Sequence, residues 1–247
     1  MKAMIFAAGL GTRLFPLTND KPKALVEVAG KTLLQRAVEY VSFFGFKDII
    51  INTHHFADKI EQFVENHRFE GVKITLSHEP DLLDTAGGLA KAASFFDEEP
   101  FLIYNVDIVT DIDLGAMLEY HKNSGADVTL AVQKRTTSRY LLFDDERNLK
   151  GWINKSTGEK ILCETQIGGT LHELAFGGIH IFSPRILPLL GEVRKWSLVP
   201  FYLQIAGEVK IKAYEINNDN FWFDCGKPET LKACEQRLLH SVSKKTS

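Results

Sequence analysis

The chain has 247 residues, of which 45% are hydrophobic and 25% charged, and its formal net charge at pH 7 is −3. A mildly acidic chain without a basic cluster argues against nucleic acid as the main partner, and no apolar run approaches the ~20 residues that span a bilayer. The three cysteines lack the spacing of a zinc site or disulfide framework, and the N-terminus lacks a signal-peptide pattern, which predicts reduced thiols in a cytoplasmic protein.

The first half of the chain alternates apolar, β-branched segments with amphipathic helical patterns. Strands are predicted over 2–8, 48–53, 72–79, 100–107 and 126–133, and helices over 32–44, 56–66, 85–96 and 113–123. Thr32 is the expected N-cap of the first helix and Asp113 that of the fourth. This alternation predicts a Rossmann-like α/β fold, with a mainly parallel (mixed) sheet and helices on both faces.

A different pattern begins near residue 140, where short strands are separated by polar turns. Strands are predicted over 140–144, 149–154, 173–182, 209–216 and 221–224, and helices over 184–190, 197–206 and 228–240. Pro228 suits the first turn of the last helix. The sequence therefore predicts a single α/β domain over 1–247 whose second half adds a small antiparallel lobe.

The segment GLGTRLFPLTNDKPKAL, residues 9–25, follows the first strand at the edge where open α/β sheets bind ligands. Gly9 and Gly11 permit close backbone approach, so successive N–H groups can point at an anion. Leu14 stands where a dinucleotide fingerprint has its third glycine, and no Gly-Lys-Ser/Thr follows. Pro16 excludes a regular helix, so an extended loop is expected here.

The same loop carries two cations suited to phosphate. Arg13 offers a forked donor and Lys23 a mobile point charge, so together they can hold different parts of a triphosphate. The segment AAGLGTRLFPLTNDKPKAL matches, at every defined position, the signature G-x-G-T-R-x-x-P-L-T-x-x-x-P-K of the sugar-1-phosphate nucleotidyltransferases (NDP-sugar pyrophosphorylases). The chain resembles that family along essentially its whole length.

That resemblance implies a nucleotide-diphospho-sugar transferase fold with two functional halves. The nucleotide-binding half is expected over about 1–135, and a sugar-binding lobe with the second metal ligand over about 136–247. The resemblance also implies that Arg13 and Lys23 are the catalytic cations. The loop residues that it implies around the nucleotide are Ala8, Gly9, Gly11 and Thr12.

Two aspartates at strand ends are the candidate metal ligands. Strand alternation places Asn105 and Asp107 on one face, where a carboxylate suits Mg²⁺, although an aspartate after a strand is more often a cap or turn residue. The resemblance implies a nucleotide contact at Asn105 and a metal ligand at Asp107. It implies a second ligand at Asp224, because FWFDCGKPETL is similar to the family's W-x-D-x-G-T-P, with Lys227 in place of the threonine.

The segment around residues 77–92 is the candidate base site. Glu79 ends a strand, and an ionised glutamate suits a base edge that donates, as in guanine or uracil. The glycines that follow would let a flat base lie against the backbone, while an ordinary helix start capped by Asp84 fits the same residues. The resemblance implies that Glu79 and Gly87 contact the base.

The sugar site is less well defined by the sequence. AFGGIHIF, residues 175–182, resembles the family strand that lines the sugar pocket, which implies a close approach at Gly178, although a β-bulge alone would explain paired glycines. The family often has a Glu-Lys-Pro segment before this strand, whose lysine meets the sugar phosphate. Lys155 in INKSTGE is the nearest match, at a different spacing.

Other polar clusters receive structural interpretations. Asp111 and Asp113 form the D-x-D of many glycosyltransferases, but Asp113 is the expected cap of the following helix. His54 and His55 are adjacent, so in an extended segment they face opposite ways and cannot chelate one ion together. No Ser/His/Asp or Cys/His arrangement stands out as a nucleophile.

The expected reaction is transfer of a nucleoside monophosphate from an NTP to a sugar 1-phosphate, with Mg²⁺ and release of pyrophosphate, in a monomer or small homo-oligomer. UTP with N-acetylmuramic acid 1-phosphate or a related hexose 1-phosphate is the first expectation, and GTP with mannose or heptose 1-phosphate the alternative. A GT-A glycosyltransferase and a non-catalytic nucleotide-sugar sensor are the alternatives from other classes. Neither of them explains both the Arg13/Lys23 loop and the two aspartates.

Overall fold

The computed structural model describes residues 1–163, 169–217 and 219–243. The strands in these ranges are β1 (Lys2–Phe6), β2 (Glu27–Val28), β3 (Lys31–Thr32), β4 (Asp48–Thr53), β5 (Lys73–His78), β6 (Phe101–Asn105), β7 (Ile108–Thr110), β8 (Val128–Gln133), β9 (Arg139–Phe143), β10 (Leu149–Asn154), β11 (Lys160–Leu162), β12 (His172–Phe182), β13 (Ile211–Glu215) and β14 (Trp222–Asp224).

The α-helices of the described ranges are α1 (Leu33–Phe43), α2 (Ala57–Asn66), α3 (Asp84–Lys91), α4 (Leu114–Ser124), α5 (Leu198–Ile205) and α6 (Pro228–Ser243). Short 3₁₀ turns cover Thr12–Leu14, Lys23–Leu25, Ala93–Phe95 and Pro184–Leu190. Among the helices so described, none is both long and apolar enough to cross a membrane.

The chain divides into two compact units. Unit 1 comprises Met1–Leu82, Tyr104–Asp111 and Asn220–Ser247, and unit 2 comprises Leu83–Ile103 and Ile112–Asp219. Both units are therefore built from segments that are far apart in sequence. The assignment of functional halves to about 1–135 and 136–247 remains a prediction.

Unit 1 contains a parallel sheet in which β4 lies between β1 and β5. Each of the three strands is followed by a polar or glycine-containing loop. These loops lie at the carboxyl-terminal edge of the sheet, where open α/β sheets bind ligands. Helix α1 begins as the sequence predicts, because the Thr32 side chain accepts a hydrogen bond from the Gln35 N–H at 3.0 Å. Its apolar face is buried, at Leu33, Leu34, Ala37, Val38 and Val41.

A short antiparallel pair of strands, β7 and β14, also belongs to unit 1. Trp222 pairs with Thr110 and Asp224 with Ile108. Strand β7 has only three residues and directly follows a polar segment, so no periodicity predicted it. This pairing places Asp224, at the end of β14, opposite Ile108, the residue that follows Asp107.

Unit 2 has a mixed sheet around β8, which pairs antiparallel with β12 and parallel with β13. Antiparallel pairing then continues from β12 to β9, β10 and β11. The register of β12 against β8 shifts between Phe176 and His180, where Gly178 has a φ of 76°. The bulge that was the alternative explanation for the paired glycines is therefore present, and the expected antiparallel lobe also contains one parallel pair.

The predicted α/β class with a mixed sheet is confirmed, and most predicted elements occur within a few residues of their expected bounds. Helix α3 is shorter than expected, because a 3₁₀ turn over Ala93–Phe95 follows it. The segment 184–190 is 3₁₀ rather than α-helical, with Pro188 inside it lacking a backbone donor. Strands β2, β3, β7 and β11 were not predicted, since two or three residues carry no periodicity.

A buried histidine gives unit 2 a predicted acid sensitivity. A 2.6 Å hydrogen bond joins Nδ1 of His180 to the hydroxyl group of Tyr202. Burial lowers the pKa of His180 from 6.5 to about 3. Between pH 6.5 and about 3, His180 is therefore protonated in the unfolded chain but neutral in the folded chain. The contribution of the neutral imidazole to stability is complete above pH 6.5 and is lost as the pH falls towards 3. We expect the free energy of unfolding to fall by about 3 kcal/mol from this group by pH 4.

Chemical denaturation of the wild type and His180→Gln at pH 7 and pH 4 measures this effect. Glutamine retains a hydrogen-bonding group for Tyr202 but does not titrate, so its free energy of unfolding should depend less on pH. An equal pH dependence in both proteins would contradict the assignment.

Candidate active site

The loop after β1 folds into consecutive turns. The Leu14 N–H donates to the Gly11 carbonyl at 2.9 Å, and the Thr18 hydroxyl donates to the same carbonyl at 3.0 Å. Gly11 has a φ of 67°, in the left-handed region that favours glycine. The expectation of an extended loop was wrong: excluding an α-helix at Pro16 left tight turns available, and the chain uses them.

These turns bring Lys23 back beside the two glycines. A Cβ added at Gly11 would lie 3.0 Å from the Lys23 Cβ, and one at Gly9 would lie 3.9 Å from its Nζ. Thr12 is in the 3₁₀ turn, and Ala8 is buried before it. Of the predicted loop residues, Gly9 thus lies near the ammonium group of Lys23 and Gly11 near the base of its side chain.

Lys23 forms an ion pair with Asp107. The distance from Nζ to Oδ2 is 2.6 Å, and the two side chains are only 15% and 10% exposed. Asn105 ends β6 two residues earlier and is half-buried. At this burial the pair is better shielded from solvent than a surface ion pair, so each charge depends on the other.

Asp224 lies close to Asp107. The Cys225 N–H donates to the Asp107 carbonyl at 2.8 Å, and the Gly226 N–H donates to Asp224 Oδ1 at 2.8 Å. Burial raises the pKa of Asp224, and the neighbouring negative charge of Asp107 raises it further. The negative charges of Asp107 and Asp224 therefore repel each other, and a cation near both would stabilise their ionised forms.

The donor set fits a hard divalent cation such as Mg²⁺. Carboxylate oxygens are its preferred protein ligands, and Mg²⁺ is commonly bound by one or two carboxylates together with substrate phosphates. Within the described residues, no group of three or more His, Cys, Asp or Glu side chains could hold a metal. Asp107 and Asp224 would therefore supply two ligands, and the phosphates and water the others.

Gly226 lies against the ends of both the Asp224 and the Arg13 side chains. A Cβ at this position would lie 2.7 Å from Arg13 Nη2 and 2.7 Å from Asp224 Oδ1. No real Cβ approaches polar atoms so closely, so Arg13 and Asp224 can take these positions only beside glycine.

We expect Gly226→Ala to displace Arg13 or Asp224 and to lower turnover by about tenfold or more, since small misplacements of catalytic groups are costly. Gly207→Ala is the matched control, because nothing lies within 4 Å of a Cβ there. Steady-state kinetics of both variants measures the effect, and equal rates would contradict it.

Cys225 is not a nucleophile in this arrangement. It is fully buried, and a hydrogen bond to Cys234 together with burial raises the pKa of its thiol well above the usual range. No disulfide bond joins Cys163, Cys225 or Cys234 in the described part of the chain.

Glu79 is completely buried in unit 1. Its Oε1 accepts a hydrogen bond from the Asn52 Nδ2 at 2.8 Å, and the Asn52 Oδ1 in turn accepts from the Ala7 N–H at 2.8 Å. His54 Nδ1 lies 2.8 Å from the Glu79 carbonyl oxygen. The structure thus places Glu79 beneath the start of the glycine loop, and its predicted contact with a base remains a prediction.

Gly87 is in unit 2, where its own packing requires glycine. A Cβ would lie 2.1 Å from the Arg194 carbonyl oxygen, and the Ala86 and Gly87 N–H groups donate to the Trp196 carbonyl. Asp84 begins α3 with a φ of 57° and makes no side-chain cap. The capping interpretation of Asp84 is therefore wrong, and the contact of Gly87 with a base stays a prediction.

Lys155 and Gly178 are also in unit 2. Lys155 Nζ lies 2.5 Å from Glu173 Oε1, in a half-exposed ion pair. Gly178 forms the bulge of β12 already described. Glu173 was not singled out in the sequence, and it places a carboxylate beside the lysine predicted to meet the sugar phosphate.

The aspartates of the D-x-D segment have structural partners. Asp113 caps α4, because its Oδ1 accepts from the Ala116 N–H at 2.9 Å. Asp111 Oδ1 accepts from the Phe221 N–H at 2.9 Å and from the Asn220 amide at 3.1 Å. Their carboxylates thus stabilise local structure, as predicted for Asp113.

The family model described as "Nucleotidyl transferase" matches residues 2–241 of the chain. The chain belongs to the nucleotidyl transferase family. It is 31% identical over 251 residues to N-acetylmuramate alpha-1-phosphate uridylyltransferase of Caulobacter vibrioides, covering 97% of each chain. It is 29% identical over 250 residues to the mannose-1-phosphate guanylyltransferase catalytic subunit beta of Dictyostelium discoideum, covering 99% of this chain and 66% of that protein.

This nucleotidyl transferase therefore spans slightly less than two thirds of the length of its guanylyltransferase relatives. Its structure is similar to that of HddC from Yersinia pseudotuberculosis complexed with GMP-PN, with a TM-score of 0.76 and 22% identity, covering 96% of this chain and 99% of that chain. At this identity the likeness supports the fold alone, and it agrees with the α/β architecture described above.

Three residues that contact predicted site residues were not themselves predicted: Asn52 contacts Glu79, Gly226 contacts Asp224, and Glu173 contacts Lys155. A signal existed for Asn52, since a polar residue ends the apolar run DIIINT where the neighbouring strands carry the predicted site. No comparable signal existed for Gly226 or Glu173, because each owes its importance to a residue distant in sequence.

Proposed function

We propose that this nucleotidyl transferase moves a nucleoside monophosphate from an NTP to a sugar 1-phosphate and releases pyrophosphate. The observation that carries the proposal is the convergence of Lys23, Asp107, Asp224 and Arg13 around the glycine loop of unit 1. Both cations and both carboxylates that the reaction needs lie in one compact unit.

In this reaction an oxygen of the sugar phosphate attacks the α-phosphorus of the NTP. A new O–P bond forms, the bond between the α-phosphorus and its bridging oxygen breaks, and pyrophosphate leaves with the electron pair. Such transfers depend mainly on positioning and charge stabilisation. Lys23 would steady the α-phosphate and the incoming oxygen, and Arg13 would hold the departing phosphates.

Asp107 and Asp224 would hold Mg²⁺, which supplies positive charge to the nucleotide phosphates when bound. Lys23 neutralises Asp107 in the structure described, so the lysine and the metal would share this carboxylate or Lys23 would turn to the phosphate. In either case the ion pair keeps Lys23 within reach of the glycine loop before substrate binds.

For the substrates, we propose UTP and N-acetylmuramic acid 1-phosphate or a related hexose 1-phosphate. The support is the uridylyltransferase relative, which the chain matches over 97% of its length. GTP with mannose 1-phosphate is the second candidate, supported by the guanylyltransferase relatives. We assign the base to Gly87, the sugar to Gly178 and Lys155, and the location to the cytoplasm.

Pyrophosphate release from four NTPs against a panel of sugar 1-phosphates, with and without Mg²⁺, tests the proposal. Release with UTP alone supports the first candidate, and release with GTP alone supports the second. No release with any pair would overturn the reaction class. Sugar transfer from an NDP-sugar would instead favour a glycosyltransferase, and binding without turnover a sensor.

A further inference from the structure

Asn52 occupies a distinctive position in unit 1. It lies near the end of the central strand β4, where it pairs with Phe6 of β1 on one side and Ser77 of β5 on the other. Only 3% of the residue is exposed. Its side chain therefore lies between the strand that leads into the glycine loop and the strand that leads to Glu79.

The hydrogen bonds of Asn52 use both ends of its amide. Oδ1 accepts from the Ala7 N–H at 2.8 Å, and Nδ2 donates to Glu79 Oε1 at 2.8 Å. A backbone N–H can only donate, and a carboxylate oxygen can only accept, so one amide orientation alone satisfies both partners. Among the common side chains of this size, only asparagine offers an acceptor and a donor in this way.

Glu79 is a rigid partner for this amide. Its N–H donates to the Thr53 carbonyl at 2.7 Å, and His54 Nδ1 lies 2.8 Å from its carbonyl oxygen. The residue is 0% exposed, so the carboxylate oxygen reaches Asn52 from a fixed backbone. Ala7, at the other end, is followed directly by Ala8 and Gly9 of the loop.

We propose that Asn52 is a positioning residue for nucleotide binding, and that Glu79 acts through it by fixing the orientation of its amide. The pair holds the backbone at Ala7, and thus sets where the N–H groups of the following loop point. This inference rests on the proposed function, because the loop is taken to bind the NTP phosphates. It gives Glu79 a role that does not require its carboxylate to meet the base.

Three variants separate this role from direct recognition of the base by Glu79. Asn52→Asp keeps the acceptor for Ala7 but sets two carboxylates against each other. Glu79→Gln keeps an oxygen for the Asn52 amide. The double variant Asn52→Asp/Glu79→Gln restores the hydrogen bond with donor and acceptor exchanged. Asn66→Asp, on the exposed end of α2, controls for an added carboxylate.

We expect Asn52→Asp to raise the KM for the NTP about tenfold, with kcat and the KM for the sugar 1-phosphate nearly unchanged. Glu79→Gln should stay near the wild-type KM, and the double variant should return towards it. Merely structural damage would lower the active fraction, and hence the apparent kcat, without moving KM.

An unchanged KM in folded Asn52→Asp would overturn the inference. So would a KM that is raised in Glu79→Gln and not restored in the double variant, because Glu79 would then need its own charge. If Asn52→Asp does not fold, the other two variants still decide. Absence of turnover in the wild type would instead refute the proposed function, so the two failures are distinguishable.

Discussion

Lys23→Ala is expected to lower turnover by about 10²-fold or more, as loss of a comparable charge stabiliser does. Lys23 is the cation that the turns of the loop bring beside Gly9 and Gly11, and its side chain is only 15% exposed. Its loss removes positive charge from the proposed phosphate site and leaves Asp107 without its ion-pair partner. Steady-state rates of pyrophosphate release at saturating substrates measure the effect.

Lys21→Ala is the matched control for this prediction. Lys21 is on the same loop, two residues earlier, and makes none of the described side-chain ion pairs. Its replacement should leave turnover within a factor of about two, since none of the described contacts ties its side chain to Asp107 or to the loop glycines. Equal turnover in the Lys23 and Lys21 variants, with both folded, would remove Lys23 from the mechanism.

Asp224→Asn is expected to separate activity from stability. Burial and the charge of Asp107 raise the pKa of Asp224, which means that ionising this group opposes folding at neutral pH. An asparagine oxygen can still accept the Gly226 N–H, so the thermal midpoint without metal should not fall and should rise slightly. Turnover should fall by about 10²-fold or more, because the variant lacks the carboxylate that we propose as a metal ligand.

Thermal melts with and without Mg²⁺, alongside the turnover assay, test this pair of effects. The wild type should gain stability from Mg²⁺ and the variant much less, since a ligand stabilises only the state that binds it. Asp58→Asn, on the exposed start of α2, is the control for loss of one negative charge. An Asp224 variant with wild-type turnover would show that this carboxylate holds no metal needed for the reaction.

Much of the fold was predictable because its signals are local. Alternation of apolar strands and amphipathic helices predicted the α/β class, and Thr32 and Asp113 cap the helices that they were expected to cap. Secondary-structure predictions failed where an element depends on contacts in the folded protein rather than on the local sequence. The three residues of β7 form a strand only because β14 pairs with them, and Asp84 does not cap α3, because the backbone takes a positive φ there.

The candidate site shows the same division. Its loop cations and its two strand-end carboxylates were named from residue type, spacing and resemblance, and Lys23, Asp107 and Asp224 do converge in unit 1. The turns of the loop were not foreseen, since Pro16 excludes a helix without specifying what replaces it. Gly226 could not be recognised either, because the need for glycine comes from the close approach of Arg13, which is distant in sequence, together with Asp224.

From the sequence alone follow the family, the α/β class and the residue types that phosphate chemistry requires, because these depend on patterns along the chain. Only the tertiary structure decided that Lys23 neutralises Asp107, and that Asn52 joins Glu79 to the start of the glycine loop. Those contacts join residues separated by 84, 45 and 27 positions. Hydrogen bonds and ion pairs over such separations depend on how strands are ordered in the sheet, which no local pattern specifies.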